Sequence, residues 1–175
     1  MTHIFHLVLR RCHRRAIWSG LVALGLSIIF VPGAFAQRIT TEVDKAVDFS
    51  KFKTFAIHDG LLRSPNPALN SELMKKRVEA AIERALTAKG LTKASGNANL
   101  NISYILGSLG GRGRGTRGPI APNIEGNFII DLRDPTTSAL VWHGVATEEQ
   151  PNAARLAGKV DDMIKKLMAK YPATK

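Results

Sequence analysis

The stretch at residues 107–118 (GSLGGRGRGTRG) contains six glycines and three arginines in twelve positions, and Pro119 follows it. The guanidinium groups of Arg112, Arg114 and Arg117 suit paired hydrogen bonds to phosphates and carboxylates, and the glycines leave the backbone free to follow such a ligand. The sequence therefore predicts a flexible cationic loop over residues 107–122. Two interpretations of the loop stay open: a site for anionic ligands and a plain connection between two strands.

The same stretch does not favour a nucleotide. Residues 113–118 match the pattern G-x-G-x-x-G, which binds a pyrophosphate where a helix begins directly after it. Pro119 and Pro122 exclude a helix of useful length there. No Lys-Ser or Lys-Thr pair follows the glycines, as a P-loop requires, and no aromatic residue is present for stacking on RNA bases. We predict no bound cofactor, and these features disfavour nucleic acid as a ligand.

The remaining histidines do not suggest a metal site. Beyond residue 36 the chain contains two histidines, His58 and His143, too few for a three-histidine zinc site. His58 is expected to lie in a turn with the Asp-Gly pair that follows it. Strand alternation predicts that Trp142 lies in the core and that His143 faces solvent.

The acidic pairs do not suggest catalysis either. The side chains of Glu148 and Glu149 diverge, as do those of Asp161 and Asp162, and we expect both pairs to be ordinary surface charge. We predict no catalytic residues and no enzyme activity. A hydrolase acting on cell-wall or lipid substrates, with catalytic residues dispersed in the sequence, is the alternative.

Residues 1–36 have the composition of a secretory signal peptide. Four arginines and no acidic residue precede an apolar run over residues 16–31, and Ala34-Phe35-Ala36 predicts cleavage between Ala36 and Gln37. An uncleaved membrane anchor is the alternative. It is disfavoured because sixteen helical residues span about 24 Å, which is less than the roughly 30 Å thickness of the hydrocarbon core. The single cysteine, Cys12, lies before the apolar run, which argues against a lipoprotein.

Removing the four arginines of this segment leaves 21 basic and 14 acidic residues, a formal net charge of +7. Such a charge attracts anions, and in an envelope compartment the abundant anions are lipid headgroups and cell-wall polymers. We therefore expect a soluble periplasmic protein with anionic envelope components or another envelope protein as partners.

Residues 37–175 predict a single α+β domain. Apolar alternation indicates strands at residues 39–44, 53–57, 100–106, 127–132 and 140–146, and periods of three to four residues indicate helices at 72–89 and 153–170. The order ββαβββα predicts an antiparallel sheet of about five strands with two helices packed on one face.

Several of these segments resemble a known family in order and spacing. They are DFSKFKTF at residues 48–55, LTAKGL at 86–91, ANL at 98–100, GNFIIDL at 126–132, LVWHG at 140–144 and KYP at 170–172. Together they resemble the uncharacterised bacterial envelope family known as domain of unknown function 4136, over about residues 39–173. The resemblance implies this domain and an envelope location, and it implies no catalytic residues because the family has no established activity. Two departures are the missing lipid-attachment cysteine and the unusually rich glycine–arginine loop.

The sequence thus favours a non-enzymatic exported protein that acts as a binding or assembly module. We expect Arg112, Arg114 and Arg117 to contact anions, and the sheet face without helix cover to contact another protein. A hydrolase and, less favoured, a nucleic-acid binder that uses the glycine–arginine loop are the alternatives.

Overall fold

The structure, a computed structural model, describes residues 37–110 and 124–172. Six strands and two helices are found in them, with the following bounds: β1 Arg38–Val43, β2 Thr54–Arg63, α1 Glu72–Thr87, β3 Thr92–Lys93, β4 Leu100–Gly110, β5 Ile124–Arg133, β6 Leu140–Gln150 and α2 Ala153–Met168. The predicted signal peptide and most of the predicted glycine–arginine loop lie outside the described residues. Residues 107–110, predicted to open that loop, instead continue β4.

The strands form one mixed sheet in the order β1-β6-β5-β4-β2-β3. Strands β4, β5, β6 and β1 are antiparallel neighbours, whereas β2 runs parallel to both β4 and β3. The predicted antiparallel sheet of about five strands therefore differs from the observed sheet in detail: the sheet has six strands, and the pairing of β2 is parallel. The cause is α1, which lies between β2 and β4 in the chain and returns it to the same end of the sheet, so that the two strands must run parallel.

Both helices begin where the sequence predicts. The Ser71 hydroxyl accepts a hydrogen bond from the backbone N–H of Met74 at 3.2 Å, and the Asn152 side chain accepts one from the N–H of Arg155 at 2.9 Å. These N-caps satisfy backbone donors that have no partner inside the helix. Beyond the end of α1, Gly90 has a φ of 90°, a left-handed conformation that favours glycine and ends the helix.

The core lies between the two helices and one face of the sheet. The inward side chains of α1 and α2 pack on the inward side chains of β2, β4, β5 and β6, among them the fully buried Trp142. The predicted core position of Trp142 is thus confirmed. Helix α2 lies close to the sheet because β5 and β6 have glycines, Gly126 and Gly144, directly below Leu156 and Leu167.

Tyr171, just beyond α2, provides a test of this core. Its ring is buried edge-on against Trp142 and Phe49, at centroid distances of 5.9 and 5.6 Å. In the part of the chain that the structure describes, its hydroxyl has no hydrogen-bond partner. We expect Tyr171→Phe to keep the free energy of unfolding at pH 7 or raise it by about 1 kcal/mol, because a buried unsatisfied hydroxyl is removed. Tyr104→Phe is the control: its hydroxyl donates to Glu79 at 3.3 Å, so that this change should be destabilising.

The Tyr171→Phe substitution should also change how the stability depends on pH. Burial raises the pKa of Tyr171 to about 12, above its ordinary value of 10. Between these values the unfolded chain releases a proton that the folded chain retains, so that wild-type stability should fall as the pH rises from about 10 to 12. Tyr171→Phe should lose less stability over that interval. Urea unfolding at pH 7 and pH 11 measures both effects, and identical pH dependence in wild type and variant would contradict the assignment.

Candidate functional site

One face of the sheet lies opposite the helices, and we call it the uncovered face. Side chains alternate along each strand, so residues directly opposite each other on neighbouring strands form rows across the sheet. Three successive rows cross the five strands β1, β6, β5, β4 and β2 on this face. Each row has its own chemistry.

The central row is apolar. It comprises Thr40, Val145, Ile129, Ile105 and Leu61, in that order across the sheet. Leu61 is 41% exposed, and the three branched side chains between it and Thr40 are half-buried. A contiguous apolar band on a solvent-facing sheet surface is typical of an interaction site.

On one side of this band lies an acidic row. It comprises Glu42, His143, Asp131, Ser103 and Asp59. The His143 Nδ1 atom is hydrogen-bonded to Asp131 Oδ1 at 2.6 Å. The side chain of His143 thus points to the uncovered face, whereas that of its neighbour Trp142 points to the core, as alternation predicts. Its Asp131 partner was missed, although the register of the β5–β6 hairpin could have indicated it.

On the other side lies a basic row. It comprises Arg38, Thr147, Asn127, Gly107 and Arg63, with the two arginines exposed at its ends. In the middle, the Thr147 hydroxyl donates to Asn127 Oδ1 at 2.9 Å. The uncovered face thus has an apolar centre between charges of opposite sign.

The charged side chains at the ends of both rows are unpaired within the described part of the chain and can contact a partner. Within residues 37–110 and 124–172, Arg38, Arg63, Glu42 and Asp59 form no ion pair. Asp131 differs, because Arg133 lies 3.5 Å from its second carboxylate oxygen. Free charges around an apolar centre resemble the polar rim and apolar core of a protein interface.

A second feature is an open cleft of about 690 Å³ near β3, lined in part by His58, Lys93 and Thr136. His58 lies inside β2 at a pairing irregularity between Ile57 and Asp59, so the expected turn is wrong. Strand β2 continues to Arg63 because β4 pairs with it along that length. The Lys93 ammonium is 2.8 Å from Glu83, which neutralises its charge. Among the described residues that line this cleft, His58 forms no side-chain hydrogen bond to a hydroxyl group, and the hydrolase alternative stays a prediction.

Glu148 corrects another expectation. It was predicted to be surface charge, but only 4% of it is exposed, and it accepts a hydrogen bond from the Gln150 amide at 2.6 Å. The reason is that β6 extends to Gln150, so alternation places Glu148 on the helix-facing side. Nearby on the same side, the hydroxyls of Ser64 and Ser108 are hydrogen-bonded at 2.5 Å. Asp161, from the other acidic pair, is half-exposed and bonded to Arg77.

The predicted anion-binding residues Arg112, Arg114 and Arg117 and the predicted cleavage residue Ala36 lie outside the described residues. Gln37, on the other side of the predicted cleavage point, directly precedes β1. The described ranges hold no cluster of three or more potential metal-ligating side chains. In those ranges, neither helix has the length and apolarity needed to cross a lipid bilayer.

These elements define an α/β domain with a single mixed sheet and two helices on one side. The chain belongs to the family described as Domain of unknown function (DUF4136), whose model matches residues 39–173. The family resemblance noted in the sequence is thereby confirmed. No protein of curated function matches the chain in sequence.

Solved structures show the same fold at low sequence identity. A DUF4136 family protein from Bacteroides thetaiotaomicron is 17% identical, with 79% of this chain and 97% of that one covered and a TM-score of 0.58. A PDZ domain protein from Parabacteroides distasonis is 20% identical, with 81% and 38% covered and a TM-score of 0.58. A PelC dodecamer variant from Paraburkholderia phytofirmans is 14% identical, with 77% and 95% covered and a TM-score of 0.50.

Proposed function

We propose that this protein is a non-enzymatic, exported protein of the periplasm that acts as a binding or assembly module. The uncovered face is its protein contact surface. The observation that carries the proposal is the central row, whose apolar side chains continue across the four strands β6, β5, β4 and β2 between an acidic and a basic row. Single exposed apolar side chains are common on protein surfaces, whereas a continuous line of them on one sheet face supports a contact surface.

Export is supported by the signal-peptide pattern of residues 1–36 and by membership of this family. An assembly role agrees with the occurrence of the fold in a PelC dodecamer, although the likeness concerns the fold alone. The glycine–arginine loop, with Arg112, Arg114 and Arg117, is the proposed contact for anionic envelope components. This contact would be additional to the protein contact surface and does not replace it.

Photocrosslinking in the native cell tests the proposal. A photoreactive amino acid is placed at Leu61 in the apolar row, and the matched control places it at Leu73, a 79% exposed leucine on α1. We expect a discrete adduct from position 61 in the periplasmic fraction and none from position 73. Equal labelling from both positions, or none from either, would argue against the uncovered face as a contact surface, and recovery in the cytoplasm would argue against export.

A further inference from the structure

We propose that the partner of the uncovered face is a second copy of this chain, stacked face to face about a twofold axis that runs along the apolar row. The inference rests on the proposed function, because it uses the same surface, and it adds the identity of the partner. It follows from where the free charges lie relative to the apolar row.

The charges are placed symmetrically about that row. On β1, Arg38 and Glu42 lie two residues to either side of Thr40, and on β2, Arg63 and Asp59 lie two residues to either side of Leu61. Two residues of extended strand span about 7 Å, so each arginine is as far from the row as the carboxylate on the other side. On both β1 and β2, opposite charges are thus equidistant from one line.

A twofold axis along that line makes the surface complementary to itself. When two faces stack, the axis relating them lies in the plane between them, and rotation about the apolar row exchanges the acidic and basic rows. Arg38 of one copy then faces Glu42 of the other on β1, and Arg63 faces Asp59 on β2. The apolar rows meet in the middle.

The other simple axis, parallel to the strands, fails on charge. It would superpose each row on itself, so that Glu42 of one copy would face Asp59 of the other and Arg38 would face Arg63. Like charges held together in this way oppose association. A foreign partner would require an apolar centre and some charge, but it would not require the same charge spacing on β1 and β2.

The stacking is ordinary for sheets. Two sheets pack about 10 Å apart with their strands within about 30° of each other, and branched side chains such as Ile105, Ile129 and Val145 fill the space between them. Five strands and three rows give a contact of roughly 500 Å² per copy, compared with about 800 Å² per partner in a standard interface. We therefore expect a weak dimer that dissociates on dilution.

Salt should weaken this dimer further. Its four ion pairs lie at the rim of the contact, between exposed side chains, where added ions screen them. The net charge of the chain also disfavours self-association in the absence of a specific charge arrangement. Any dimer formed by this protein at low salt therefore depends on local complementarity.

Sedimentation equilibrium of the purified native protein between roughly 10 µM and 1 mM, a range suited to a weak contact, tests the inference. At low salt the average mass should rise towards twice that of the monomer as concentration increases. Arg38→Glu should weaken self-association at least tenfold, since the carboxylate introduced on β1 would then face Glu42 of the other copy. The double variant Arg38→Glu/Glu42→Arg should restore it, since the swapped charges again face each other. Both positions are exposed on an edge strand, and circular dichroism verifies that each variant is folded.

The outcomes separate this inference from the proposed function. A monomer at every concentration, an Arg38→Glu variant that associates like wild type, or a double variant that fails to recover would each overturn the dimer. If the protein is monomeric and the photoreactive group at Leu61 captures a different protein, the proposed function stands and the inference falls. If Leu61 captures only another copy of this chain and the charge swap restores association, both stand.

Discussion

Replacing Trp142 with alanine is expected to lower the free energy of unfolding by about 3–5 kcal/mol. The indole is fully buried, and it lies edge-on to Tyr171 at a centroid distance of 5.9 Å. It also occupies the space above Gly144, next to Leu167 of α2. Removing it leaves a large cavity between β6 and α2, and the neighbours that line the cavity belong to a sheet and a helix that cannot both move inward.

One feature slightly reduces the size of this effect. The indole N–H has no hydrogen-bond partner within the described part of the chain, so the substitution also removes an unsatisfied donor and recovers a little stability. Domains are stable by about 5–15 kcal/mol, so the variant should still lose a large share of its stability. Urea unfolding followed by circular dichroism measures the change.

Leu73→Ala is the matched control, because Leu73 is the most exposed of the large apolar side chains that the structure describes. Its substitution should change the stability by no more than about 0.5 kcal/mol. A loss below about 1 kcal/mol for Trp142→Ala, far under the usual cost of such a truncation, would mean that the indole does not hold α2 on the sheet.

The position of Trp142 shows what the sequence could predict. Alternation in LVWHG placed the indole inward and His143 outward, and the periods of three to four apolar residues placed the starts of both helices at Glu72 and Ala153. These are local features, each determined by residues within a few positions of one another. Local features were predicted well because their physical causes lie within the same short segment.

Strand pairing was predicted less well, because it depends on distant segments. The parallel pairing of β2 with β4 is not marked in either strand, and β3, with two residues, is too short to show any alternation. Strands β2, β4 and β6 also continue beyond their apolar residues into polar ones, and Ser64, Ser108 and Glu148 are buried at these strand ends. Polar residues at the ends of these strands were therefore interpreted as loop or surface.

The uncovered face was predicted only as a surface without helix cover. Its three rows exist because five strands pair in one register, and a shift of one residue in any of them would send its side chains to the other face. Leu61 and Arg63 illustrate the difficulty: they belong to the face only because β2 extends past the irregularity at His58 and pairs with β4. No pattern within a single strand contains that information.

Gly144→Ala is expected to lower the free energy of unfolding by about 1–3 kcal/mol, which is unusual for so small an addition. A Cβ atom at this position would lie 2.5 and 2.8 Å from two ring carbons of Trp142 and 2.9 Å from a methyl group of Leu167. Gly144 has a negative φ that alanine adopts freely, since Gly90 is the one glycine with positive φ among the described residues. The whole cost therefore comes from packing and not from the backbone.

Gly158→Ala provides the comparison that isolates this cost. Gly158 lies at an exposed position of α2, and a Cβ there would meet nothing within 4 Å. Alanine should raise the stability by about 0.5–1 kcal/mol, through its better helix propensity and the smaller conformational entropy of the unfolded chain. Both substitutions restrict the unfolded chain equally, so most of the difference between them, about 1.5–4 kcal/mol, reports the native contact at Gly144. If urea unfolding gave the two variants equal stability, the indole would have to be able to move away from β6, and the expected cavity cost of Trp142→Ala would shrink with it.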